Sequence, residues 1–279
     1  MQHLLKEFLF GINSDKFIHT PNRELSTLRH KYHEEENIRG EALQLKIVYI
    51  YHDCFAIISG GQALLFDYPE NLSPEAEEAL RNAVRGKRLI TLTSHSHADH
   101  FTENLLNLEE EVQAFTCIVS GDVAQKSPKC ARKCLVIEEG QTTRVDNLEV
   151  KAYGSSDLGV SYLVKIGDAK IYFAGDNADW SRSQLPEQVN QQIRETFHRV
   201  IREAAEEAPV DIAFATLCQI CQNLGGISHV IRTLKPRLTV PMHLAGQTEL
   251  IAEHRSSLEK LGTKIFAYTR PGDTYTYTT

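Results

Sequence analysis

From Leu45 onward the chain is a succession of short apolar runs broken by turn residues, and before that point it is not. Leu45–Tyr51, Cys54–Ser59 and Ala63–Asp67 predict three strands, the last two joined across Gly60-Gly61 as a hairpin. Ser73-Pro74-Glu75 predicts a helix start, because Ser caps the free amides, Pro suits the first helical position and Glu75, Glu77 and Glu78 complement the positive end of the dipole. That helix reaches about Arg85 and leads to a strand over Arg88–Thr93, followed by a helix-like Phe101–Leu108. Further strands are predicted over Ala114–Ser120, Cys134–Glu138, Leu148–Tyr153, Val160–Ile166 and Lys170–Ala174. Pro186–Ala208 carries Val189, Ile193, Phe197, Val200, Ile201, Ala204 and Ala208 at helical spacing and predicts an amphipathic helix. Strands Asp211–Thr216 and Arg237–Val240 flank a helix at about Gly226–Leu234, and a last helix, Gln247–Leu261, precedes strands Lys264–Tyr268 and Thr274–Thr278.

This order is a β-rich antiparallel half followed by a half that mixes strands and helices. The fold class is α/β (α+β): two sheets packed face to face with helices outside use the pattern well, and a three-layer parallel sheet also fits it. Residues 1–44 are polar, with Arg29-His-Lys-Tyr-His-Glu-Glu-Glu36, and are expected to form an N-terminal helical extension to a main domain over 45–279. No repeat or low-complexity tract divides the chain.

Composition narrows the class. At 279 residues, 42% hydrophobic and 24% charged, the chain suits one large domain. A net charge of −7 argues against a broad phosphate-binding surface, so no nucleic-acid partner is expected. The Lys129-Cys-Ala-Arg132-Lys133 patch reads as a solvated loop. Lys6 and Glu7 interrupt the apolar start and no cleavage site follows, nor do 18 apolar residues run together; a cytoplasmic protein without a membrane partner is expected. On that basis the six cysteines, Cys54, Cys117, Cys130, Cys134, Cys218 and Cys221, are expected to be reduced thiols. Cys218-Gln-Ile-Cys221 lacks a matching second pair for a zinc site and reads as inert thiols, with a substrate-lining or redox role as the alternative. A homo-oligomer stays open.

The chemistry sits in Ser94-His95-Ser96-His97-Ala98-Asp99-His100, directly after a predicted strand. Packing a core does not ask for three imidazoles and a carboxylate in six residues; a metal does. In an extended segment alternate side chains share a face, so His95, His97 and Asp99 are expected to point one way, with His100 turned inward at the helix entry. Mixed nitrogen and oxygen donors suit zinc, manganese or iron better than calcium or magnesium. Two more strand ends offer ligands: Ile171-Tyr-Phe-Ala-Gly-Asp176, whose Gly175 lets the chain turn and whose Asp176 can bridge two cations, and Leu238-Thr-Val-Pro-Met-His243.

With the H-x-H-x-D-H cluster at 95–100, the strand-Ala-Gly-Asp at 174–176 and the late strand-ending histidine at 243, in that order, the chain resembles the metallo-β-lactamase superfamily of metal-dependent hydrolases over about residues 45–279. The resemblance implies an αββα sandwich with the site between its sheets and one or two divalent transition-metal ions, zinc first, manganese or iron as alternatives. It places His95 and His97 on one metal, Asp99, His100 and His243 on the other, and Asp176 between them, with Asp99 and Asp176 the carboxylates of the reaction and a metal-bound hydroxide the nucleophile. Most members have a third histidine for the first metal where this chain has Gly154-Ser155-Ser156-Asp157-Leu158-Gly159. Asp157 is the candidate replacement, or Ser155 or Ser156 through a water, a loop similar to that of the branch including ascorbate-6-phosphate lactonase. Members that cleave β-lactams are exported and often carry Cys in place of Asp176, glyoxalase II relatives have a basic tail, and the nucleases often have an insert before the last histidine. The implied substrate is therefore a small, anionic metabolite with an ester, lactone or phosphoester, with a nucleotide phosphodiesterase or a non-catalytic metal sensor as alternatives. Similar proteins often place a histidine in the first hairpin facing the cleft, which makes His52 a candidate for supporting a ligand or touching substrate. Trp180 is a candidate pocket wall, packing being as good a reading, and His254 reads as packed.

Overall fold

A computed structural model describes residues 42–279. The expected helical extension lies almost wholly outside the described residues, and β1 begins at Gln44.

Fourteen strands form two seven-stranded mixed sheets. In the first, β1 (Gln44–Tyr51), β2 (Cys54–Ser59) and β3 (Gln62–Phe66) run antiparallel, with β14 (Thr274–Thr278) on the outer edge of β1. On the other side β4 (Arg88–Thr93), β5 (Ala114–Ser120) and β6 (Leu135–Ile137) continue in parallel. The second sheet repeats the plan. There β7 (Thr142–Val145), β8 (Leu148–Tyr153), β9 (Ser161–Ile166) and β10 (Ala169–Phe173) are antiparallel, and β11 (Ile212–Thr216), β12 (Leu238–Met242) and β13 (Lys264–Ile265) follow in parallel.

The sheets pack face to face, as the sandwich reading expects, and the alternative of one three-layer parallel sheet is excluded. Phe66 of the first sheet stacks on Phe173 of the second at 4.5 Å, and Phe55 meets Phe214 edge-on at 5.0 Å. Leu64 and Ile90 face this inner core, while their neighbours Leu65 and Leu89 face outward under α1 (Pro74–Val84). Burial on both faces is why these strands read as continuous apolar runs. Over the second sheet lie α4 (Glu187–Ala204), α5 (Ile227–Leu234) and α6 (Glu249–Glu259).

Several local expectations are corrected. Residues Glu103–Glu111 form a 3-10 segment rather than a helix over 101–108. Two short helices, α2 (Gly121–Lys126) and α3 (Pro128–Lys133), fill the connection before β6, with Ser127 capping α3 and Asp122 in the first turn of α2. The predicted helix to Ala208 ends at Ala204 and tightens into 3-10 form over Ala205–Glu207, and Val189 at its start is exposed. The expected reduced thiols are also corrected: Cys117 pairs with Cys134 and Cys218 with Cys221, while Cys54 and Cys130 are free and buried. Parallel pairing of β5 with β6 brings the first pair to a Cα separation of 4.7 Å, a proximity that 17 residues of sequence conceal.

Candidate metal centre

Parallel pairing puts the C-terminal ends of β3 and β4 at one edge of the first sheet and those of β10, β11 and β12 at one edge of the second. The predicted ligands leave from these ends. His95, His97, Asp99 and His100 follow β4, Asp176 follows β10, and His243 follows β12. Asp157 comes from the β8–β9 connection and His52 from the β1–β2 turn.

The side chains fall into two groups, His95, His97, Asp157 and Asp176 in one, and His52, Asp99, His100 and His243 in the other, each able to converge its donor atoms within 4.8 Å. Asp176 faces both. Its Oδ2 lies 3.4 Å from His95 Nε2, and its Oδ1 lies 3.3 Å from His100 Nε2 and 3.5 Å from His243 Nε2. In the first group His95 Nε2 and His97 Nδ1 are 3.0 Å apart, and Asp157 Oδ2 is 3.7 Å from that His97 nitrogen. The expected common face for His95, His97 and Asp99 does not hold: residues 98–100 turn, and Asp99 joins the second group. Of the residues weighed for the missing imidazole, only Asp157 reaches the group. Ser156 Oγ donates to Ala178 O at 2.6 Å and accepts from Ala178 N at 2.9 Å, and Ser155 Oγ accepts from the amide of Asp157.

Close backbone approach makes the convergence work. Gly159 lies against Ser94 and His95, where a Cβ would stand 2.1 Å from the Ser94 carbonyl oxygen, and Gly175, in the left-handed region at φ +51°, leaves room for the Ser94 side chain. The Val160 amide donates to Ser94 O at 3.0 Å and ties the two loops together. Asp122 of α2 accepts from the Ser96 amide at 2.8 Å, and Lys126 donates to the Ser96 carbonyl. Trp180 Nε1 donates to Asp176 O at 2.8 Å while its ring stands 4.9 Å from that of His243, so it walls the site.

A carboxylate absent from the sequence reading organises the histidines. Asp67, fully buried beyond β3, accepts from the amide and hydroxyl of Ser94 at 2.7 and 2.9 Å and from His100 Nδ1 at 2.8 Å. Ser94 Oγ, having given its proton to Asp67, accepts from His95 Nδ1 at 2.9 Å. Both rings are thereby left with an unprotonated Nε2 facing the centre, the tautomer a metal ligand needs. The signal for Asp67 in the sequence is slight, a single acid ending an apolar strand. Asp53 is a second buried acid beside the site, with neither carboxyl oxygen hydrogen-bonded.

Electrostatics separates the donor types. Burial, reinforced by neighbouring imidazoles, holds His95, His100 and His243 down to about 3, so all three are neutral near pH 7. Burial pushes Asp67 up to about 7 against its hydrogen bonds, and Asp176 well above the usual carboxylate range, with Asp157, Asp99 and Asp67 adding repulsion. Neutral imidazoles around crowded carboxyls, with His100 Nε2 and Asp176 Oδ1 buried and unpartnered, fit one or two divalent cations. His95, His97, Asp157 and Asp176 would hold one, and Asp99, His100, Asp176 and His243 the other.

Known proteins agree with this architecture. The family described as the β-lactamase superfamily domain matches residues 46–191, just over half of the chain. Among curated proteins none matches it. Its structure is similar to that of Igni18, a metallo hydrolase of the archaeon Ignicoccus hospitalis, with a TM-score of 0.62 at 15% identity over 84% of this chain and 98% of that one. It is similar also to the metallo-β-lactamase fold protein YhfI of Bacillus subtilis, with a TM-score of 0.57 at 12% identity over 84% and 100% of the two chains. CmlA, a diiron β-hydroxylase of Streptomyces venezuelae, matches with a TM-score of 0.54 at 16% identity, over 92% of this chain and 60% of that one.

Proposed function

The chain belongs to the metallo-β-lactamase superfamily of metal-dependent hydrolases, and on that premise we propose that it hydrolyses an ester, lactone or phosphoester in a small anionic metabolite. The observation that carries the reading is Asp176, whose two oxygens face two separate His/Asp groups. A divalent cation bound there lowers the pKa of water toward neutrality and polarises a substrate oxygen. The chain's own residues supply the rest. Asp67 and Ser94 fix the imidazole tautomers, Asp176 spans the two groups, and Trp180 closes one side of the cleft beside His243. His97 and Asp157 remain half exposed, which leaves the first group open toward solvent for an entering molecule. The lactone arm rests on the serine- and acid-bearing loop at 154–159 and the branch it resembles. The mixed nitrogen and oxygen donors of both groups admit manganese or iron as well as zinc.

Elemental analysis of the purified protein, followed by a screen of lactones, carboxylic esters and phosphodiesters, tests this. Up to two transition-metal equivalents and turnover of one class, both lost in Asp176→Ala while circular dichroism is retained, are expected. Full metal content in Asp176→Ala defeats the bridge. Metal without turnover of any class favours a sensor, and cleavage confined to phosphodiesters favours a nucleotide phosphodiesterase.

A further inference from the structure

His52 stands among the donor atoms of the second group and yet is built differently from them. Its ring is buried, it lies 4.2 Å from the ring of His243 and 5.3 Å from that of His100, and its Nε2 is 3.5 Å from Asp99 Oδ2. By proximity alone it is a third imidazole ligand. Its other nitrogen decides otherwise. The backbone amide of Ala245 points at His52 Nδ1 at 3.0 Å, and an amide can only donate, so Nδ1 must carry a lone pair. A neutral imidazole that accepts at Nδ1 carries its proton on Nε2, and a protonated nitrogen has no lone pair for a cation. His100 is wired in the opposite sense, since its Nδ1 faces the carboxylate of Asp67 and its Nε2 is free to ligate.

The backbone around His52 is held in this arrangement at a cost. His52 at φ +53°, His243 at +65° and Ala245 at +46° are all left-handed without being glycine, a conformation that persists only where surrounding contacts over-determine it. The His52–Ala245 hydrogen bond joins these two strained turns, one from each sheet. Nothing in the described residues accepts a hydrogen bond from His52 Nε2, and the carboxylate oxygen that stands within ion-pair distance of it is Asp99 Oδ2, at 3.5 Å.

We propose that His52 is a positioning residue and not a metal ligand: the Ala245 amide fixes it as the Nε2–H tautomer, and that N–H orients Asp99 toward the second cation. The inference rests on the metal reading above, but its central claim concerns a proton on one nitrogen and is measurable without metal.

Two-bond proton–nitrogen correlation spectra of the full chain, labelled with nitrogen-15 in histidine and assigned by comparison with His52→Gln, read the tautomer directly. Expected is an Nε2–H pattern for His52 in the metal-free protein that persists through a zinc titration, while His100 keeps Nδ1–H and shifts at Nε2. An Nδ1–H pattern for His52, or a zinc-induced shift at its Nε2, overturns the proposal. Zinc affinity is the second readout. His52→Ala should weaken the second binding step about 10- to 100-fold, the effect ordinary for a group supporting a ligand, with the imidazole count in the zinc absorption spectrum unchanged. His52→Gln, whose amide offers an acceptor to Ala245 and a donor to Asp99, should recover most of the loss. Unchanged affinity in His52→Ala, or loss of one imidazole from the zinc shell, refutes the positioning role. Failure of the wild type to bind any metal would defeat the metal centre, whereas the tautomer in the metal-free spectrum would stand or fall separately.

Discussion

At the scale of the residue, each cation's set offers two imidazoles and two carboxylates, and the first is set apart by an imidazole that is itself half exposed, His97, where the second has the more sheltered His100 and His243. Asp157 stands where an imidazole is usual and is half exposed, so its hold on a cation competes with water. Asp157→His should tighten the weaker step of a zinc titration, because neutral imidazole is a strong ligand for this cation. Placing the histidine at Ser156 should not, since that hydroxyl is engaged by both backbone atoms of Ala178. Isothermal titration of the two variants checks this, and a tighter step in Ser156→His would reverse the assignment. The acids and imidazoles also set the pH response. His95, His100 and His243 titrate near 3 when folded and near 6.5 when unfolded, so their contribution to metal-free stability is present above about 6.5 and lost as pH falls through 3. Asp67, raised to about 7, acts in the other sense: its contribution is present below about 4 and lost as pH rises through 7. Asp53 and Asp176 are raised in the same direction. The metal-free protein should therefore lose stability from about pH 6.5 upward, and zinc, which needs the carboxylates ionised, should raise the melting temperature more at pH 8 than at pH 6. Thermal scans at the two pH values decide, an equal or smaller shift at pH 8 being the contrary result.

At the scale of the element, the centre depends on how closely loops approach one another. Gly159 sits at φ +70° with the Ser94 carbonyl where a side chain would begin. Gly159→Ala should cost more than the roughly 1–2 kcal/mol of a left-handed alanine, because the 154–159 loop must also withdraw from Ser94 and carry Asp157 with it. Urea unfolding and a metal titration would detect both effects, and wild-type values in each would show the approach to be dispensable. The Cys117–Cys134 bond ties β5 to the strand after α3 and closes a 17-residue separation. Cys134→Ser should lower the stability of the oxidised protein by about 3 kcal/mol, the scale for a loop of this length. Identical unfolding midpoints with and without a reductant would argue that the bond does not form in solution.

At the scale of the whole molecule, two mixed sheets with their parallel halves aligned bring strand ends from distant sequence to one cleft. The charge of −7 sets the expectation for partners. Duplex DNA and RNA should bind weakly and with a shallow dependence on salt, because few phosphates can be neutralised. Fluorescence anisotropy at low and moderate salt measures it, and tight binding with a steep slope would contradict the small-molecule reading. No helix among the described residues is long and apolar enough to cross a membrane.

What the sequence determined by itself is local and periodic. The Gly60-Gly61 hairpin, the Ser73-Pro74 helix start, the strands on either side of residues 94–100 and the Gly175 turn before Asp176 follow from propensity, capping and alternation, which act between near neighbours. The H-x-H-x-D-H spacing named the donors for the same reason. The tertiary structure decided which donors share a centre. Asp99 leaves the face of His95 and His97 because the chain turns at 98–100, and Asp157 rather than Ser156 reaches the first group because Ala178 holds the serine. Asp67 and the Ala245 amide set imidazole tautomers from 33 and 193 residues away. Hydrogen bonds of that span leave no periodic trace in a sequence, because only the assembled tertiary structure brings their partners together.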